Sequence, residues 1–217
     1  LDPAIRAKLE TALAVVDDHG TRGPRLQHDA RRLWHRVRRL LALSLVSPTT
    51  DLDALELACL ALHLPMKCPD PGPGPTRHLA RPNLRDRAEA AADLLLTAAR
   101  HTVPDSLLDR ATRLLNELPQ RQPVLDDAKL LADAVNLEDF GVAGLFNETL
   151  CLGVAGLGTD HLADGRAKRD QYGYWEARLK DGFHFEPVRQ LARQRLERAR
   201  HVTAMLRLEL DEDTAPQ

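Results

Sequence analysis

Six residues between positions 28 and 39 are of types that bind anions or metals: His28, Arg31, Arg32, His35, Arg38 and Arg39. Their separations of three, four and seven residues put them on one face of a helix, with Leu33, Val37, Leu40, Leu41 and Leu45 on the other. Two imidazoles among four guanidiniums make a candidate site for a phosphate-containing ligand, because a guanidinium meets phosphate oxygens through paired N–H donors. The ordinary alternative is a basic face turned to water. A third histidine, His63, ends the apolar run Leu55-Glu-Leu-Ala-Cys-Leu-Ala-Leu-His63, so its ring is expected to be partly buried and to need a polar partner. A second basic ridge, Arg189, Arg193, Arg195, Arg198, Arg200 and His201, makes a nucleic-acid backbone a further candidate partner. There is no P-loop, no Gly-x-Gly-x-x-Gly, no Gly-x-Ser-x-Gly and no His-Glu-x-x-His.

The elements that must position these residues read as helices throughout. Asp2 and Pro3 open a first helix carrying Ile5, Leu9, Leu13 and Val16 on one stripe. The basic face belongs to a second, about 27 to 47. A third, about 52 to 64, is apolar on most sides and therefore central. Residues 65 to 83 hold six prolines and two glycines, which predicts a loop. Further helices are expected at about 84–101, 104–118, 123–138, 164–179 and 186–210, with a glycine-broken apolar stretch at 140–157 and an acidic tail at 211–217. No segment reads as a strand. The expectation is one all-α domain over 1–217, a bundle of about eight to nine helices.

Composition sets the bounds. The chain has 217 residues, 43% hydrophobic and 29% charged, with a net charge of -2, enough to bury a core. Aromatics are 4%, which favours aliphatic helix packing and argues against stacking of single-stranded nucleic acid. No apolar run approaches the roughly 18–20 residues of a membrane span, and Leu1-Asp2-Pro3 lacks the layout of a signal peptide, so a cytoplasmic protein with no membrane partner is expected. Cys59, Cys68 and Cys151 form no Cys-x-x-Cys pair. They suggest neither a disulfide framework nor a thiolate zinc site.

Three segments resemble the HD-domain superfamily of metal-dependent phosphohydrolases, most closely its small bacterial single-domain members. His35-Arg-Val-Arg38-Arg39 is similar to the first helix motif. Leu55 to Leu64 is similar to the apolar helix that ends in the His-Asp pair. Ala128 to Leu145, with Asp133, Gly141 and Gly144, is similar to the Asp-Ala-Asp-x-Leu-Asp-x-x-Gly-x-x-Gly segment. The resemblance implies a divalent metal (Mn, Mg, Fe or Zn) held by the first His, the His-Asp pair and a later Asp, activating water against a phosphoester. His35 and His63 stand at the two His positions, but Leu64 replaces the paired Asp and Val135 falls on the later ligand position. Asp133, the candidate catalytic carboxylate, lies about 200° around its helix from position 135. Asp86 stands where two-metal members carry an additional His.

Two imidazoles without a carboxylate suit a hard cation poorly, and without a metal no potent nucleophile forms from water at neutral pH. The expectation is therefore a phosphohydrolase-like protein that binds a phosphate-containing ligand with hydrolysis impaired or lost. An active enzyme with a variant metal site and a nucleic-acid-binding protein are the alternatives, and a homodimer is compatible with each.

Overall fold

The computed structural model describes residues 1–13, 15–16, 22–23, 25–47, 50–67, 83–154 and 156–214. These residues form ten α-helices: α1 (Pro3–Ala12), α2 (Arg25–Leu41), α3 (Leu52–Ala61), α4 (Leu84–Ala99), α5 (Asp105–Glu117), α6 (Asp126–Asn136), α7 (Val142–Val154), α8 (Thr159–Gln171), α9 (Tyr174–Asp181) and α10 (Glu186–Thr214). Two two-residue strands, β1 (Val15–Val16) and β2 (Arg22–Gly23), pair antiparallel between α1 and α2. The architecture is all-α, as the aliphatic periodicity predicts. The described residues fall into two compact units, one up to Ala134 and one from Val135 onward.

In the first unit α3 is central and packs against α1, α2, α4 and α5. The physical reason is its composition: every residue from Ala54 to Ala61 is buried. Asp51 caps its start, the carboxylate accepting the Ala54 N–H at 3.0 Å, and Asp2 caps α1 in the same way through Ala4 N–H at 2.7 Å. α2 lays Leu33, Val37 and Leu40 against α3, all at 2% exposure or less.

In the second unit α10 packs against α7, α8 and α9. Phe140 meets Trp175 and Phe183 edge-on, each pair with ring centroids 5.2 Å apart.

Several boundaries differ from the sequence reading. α2 ends at Leu41 rather than near 47, because Ser44 lies in the left-handed region at φ 53, which a right-handed helix cannot continue through. The expected helix at 164–179 is two, α8 and α9, separated by Gly173 at φ 66. The apolar stretch at 140–157 contains a full helix, α7, bracketed by Gly141 at φ 97 and Gly156 at φ 73. The acidic residues 211–213 lie within α10, since no Gly or Pro interrupts the chain between Pro187 and Pro216. Of the Pro/Gly-rich segment, Leu64–Lys67 forms a 3-10 turn and 68–82 lies outside the described residues, as does Cys68.

Candidate functional site: a cleft between α1, α2 and α3

All six charged or imidazole residues singled out on α2 are at least partly exposed, while Leu26, Ala30, Leu33, Val37 and Leu40 of the opposite face are buried. They are not equivalent. Arg31, His35 and Arg38, with Trp34 among them, form one wall of a cleft of about 230 Å³; Arg6 and Glu10 of α1 and Glu56 and Leu60 of α3 complete it. His28, Arg32 and Arg39 lie outside this lining. Arg32 pairs with Asp29 one turn before it.

Two of the three guanidiniums in the cleft are already matched. Arg31 forks onto Glu10, Nε to Oε1 at 2.8 Å and Nη2 to Oε2 at 2.6 Å. Arg6 forks onto Glu56 in the same manner, at 2.6 and 2.9 Å. The hydrogen bonds from Arg31 hold the Glu10 carboxyl below the usual carboxylate range, and both guanidiniums are pushed up in return, Arg31 by Glu10 and Arg6 by Glu56. Three arginines against two glutamates leave one net positive charge, and it falls on Arg38. Neither the Arg38 nor the His35 side chain hydrogen-bonds or ion-pairs with any described residue.

His63 occupies different surroundings. It is 1% exposed at the end of α3, and its Nδ1 donates to the Cys59 carbonyl one turn back at 2.9 Å. Donation to a carbonyl fixes a proton on Nδ1. Leu64 follows at 8% exposure, and the nearly buried Arg87 donates from Nε to the Leu62 carbonyl at 2.8 Å, closing the C-terminal end of α3. The cleft lining includes His35 but neither His63 nor Leu64.

Asp133 is completely buried in the first unit, and Val135 is a buried residue of the second. Asp86 is part of the α4 cap: its backbone N–H donates to Asn83 Oδ1 at 3.0 Å and its carboxylate accepts from Asn83 Nδ2 at 2.8 Å.

The donor set does not fit a hard divalent cation. His35 and His63 are nitrogen donors in unlike environments, Leu64 and Val135 have only hydrocarbon side chains, and among the described residues no group of three or more His, Cys, Asp or Glu could hold a metal ion.

The basic ridge of α10 is largely consumed by its own neighbours. Arg200 binds Asp170 at 2.5 Å and Glu176 at 2.7 Å, Arg189 and Arg193 share Glu186, and Arg195 donates to the Leu137 carbonyl at 3.2 Å. A larger groove of about 610 Å³ lies beside α5, where Glu117 holds both Arg113 and the Leu125 N–H while the buried Thr112 hydroxyl has no partner among the described residues.

Sequence reasoning missed Arg6, Glu10, Trp34 and Glu56. A signal existed for Glu56, the one charged residue in the buried run from Ala54 to Leu64 that is not at its end. None marked α1 as its partner, because pairing across 50 residues leaves no trace in local spacing.

No family model and no curated protein matches the sequence. Among solved structures, the crystal structure of Bacillus subtilis YpgQ in complex with ADP is similar over 96% of this chain and 96% of that one, with a TM-score of 0.57 and 17% identity. No described helix is long and apolar enough to cross a membrane. At 17% identity the likeness establishes the fold alone, and the chain has the all-helical fold of that protein.

Proposed function

We propose that this chain is an HD-like protein, a single functional domain, that binds a phosphate-containing small molecule in the α1–α2–α3 cleft and has lost metal-dependent hydrolysis. The observation that carries the reading is the unmatched charge of Arg38 beside His35, in a concave site whose other arginines are held by carboxylates. A guanidinium with no partner among the described residues, next to an imidazole that can donate a hydrogen bond, is suited to a phosphate oxygen. The fold likeness to a protein crystallised with ADP supports a phosphate-containing ligand. Loss of hydrolysis is supported by the donor set: two of the carboxylates that the resemblance would require are Leu64 and Val135.

The test is elemental analysis of protein purified without chelator, together with an assay of aryl phosphate hydrolysis under added manganese, magnesium, iron or zinc. The expected result is substoichiometric metal and no turnover. Stoichiometric metal with turnover would instead establish an active phosphohydrolase with a variant site.

A further inference from the structure

The chain has two tryptophans, and the fold accounts for only one of them. Trp175 is 2% exposed, meets Phe140 and Tyr174 edge-on at 5.2 and 5.0 Å, and has the Arg166 guanidinium 4.5 Å above its ring. Trp34 has no such company. It lines the cleft, is only partly buried, and among the described residues it stacks with no ring or guanidinium and its indole N–H has no acceptor. An indole on a charged cleft wall, three residues after Arg31 and four before Arg38, gives up apolar burial that a core position would provide.

Building on the phosphate reading above, we propose that Trp34 is the platform for an aromatic base and that the cleft takes a nucleoside monophosphate, with the base on Trp34 and a single phosphate at Arg38 and His35. Charge favours one phosphate over several. The cleft offers one net positive charge against roughly 1.5 to 2 negative charges on a phosphomonoester at neutral pH. A tri- or diphosphate would bring further negative charge towards Glu10 and Glu56.

Calorimetric titration of the whole chain with adenosine monophosphate, inorganic phosphate, adenosine and adenosine triphosphate tests this. The monophosphate is expected to bind about tenfold or more tighter than inorganic phosphate, and the triphosphate no tighter than the monophosphate. Trp34→Leu should lose about tenfold in affinity for the monophosphate and less than about twofold for inorganic phosphate, whereas Trp34→Phe, which keeps a stacking face, should retain most of it. Equal affinities for the monophosphate and inorganic phosphate, or a Trp34→Leu variant that binds the monophosphate normally, would overturn the base platform and leave the phosphate reading standing. Absence of binding for every phosphate compound would overturn both.

Discussion

Three arginines and two glutamates meet in the cleft, and the geometry divides them unequally. Arg31 and Arg6 are held in two-pronged pairs, so Arg38 is the residue whose charge is available to a ligand. Glu10→Gln should release Arg31 and raise affinity for inorganic phosphate by up to about fivefold, the worth of an exposed pair of up to ~1 kcal/mol, read by calorimetry. The same variant has a pH signature. Because the folded-state Glu10 carboxyl is held low by Arg31, the pair stabilises the fold above the ordinary carboxylate pKa and loses that contribution as pH falls through the lowered value. With Arg31 half exposed the effect is small, so wild type and Glu10→Gln should differ by less than about 1 kcal/mol near neutrality and converge in acid, as urea titrations would record. Glu148 is a contrasting case. It binds Arg166, whose side chain is 6% exposed, and Arg169 at 2.5 Å, and burial pushes the Arg166 guanidinium down despite the pairing. Glu148→Ala would leave that guanidinium buried without its principal carboxylate and should cost about 3–5 kcal/mol in urea unfolding.

Among the elements, α2 is the one most fully legible from the order of its residues. Its basic face and its aliphatic face follow from a simple period, and every side chain singled out between Leu26 and Leu40 is where that period puts it. Helix α7 is the opposite. Gly144 and Gly153 weaken its helical signal, and only tertiary context explains them. A Cβ at Gly144 would stand 2.6 Å from the Asp139 carbonyl oxygen and 2.8 Å from its carbon, both backbone atoms, whereas one at Gly153 would meet nothing within 4 Å. The two glycines of one helix should therefore respond with opposite signs. Gly144→Ala should destabilise by about 1–3 kcal/mol through overpacking, and Gly153→Ala should stabilise by about 0.5–1 kcal/mol through helix propensity, both measured as midpoint shifts in urea. The Gly141-x-x-Gly144 spacing thus has a local role independent of any chemistry: positive φ before α7, then close approach of its first turn to the preceding backbone.

For the molecule as a whole, the helical class is readable because aliphatic spacing and aromatic scarcity agree over the full length. The candidate cleft is readable only on the α2 side. Its carboxylates come from α1 and α3, and which arginine is left over depends on pairs that span 21 and 50 residues. Net charge of -2 conceals the same point, since described carboxylates neutralise most of the α10 arginines while Arg38 of α2 is matched by no described residue. The central claim is that this residual charge binds phosphate without a metal. Calorimetric titration of chelator-treated protein with adenosine monophosphate, alongside Arg38→Ala, tests it most directly. Saturable binding to the wild-type chain that weakens about tenfold or more in Arg38→Ala is the predicted result, since a charge-assisted contact is worth roughly 1.5–3 kcal/mol. Binding that requires added divalent metal, or that is equal in the two proteins, would contradict it.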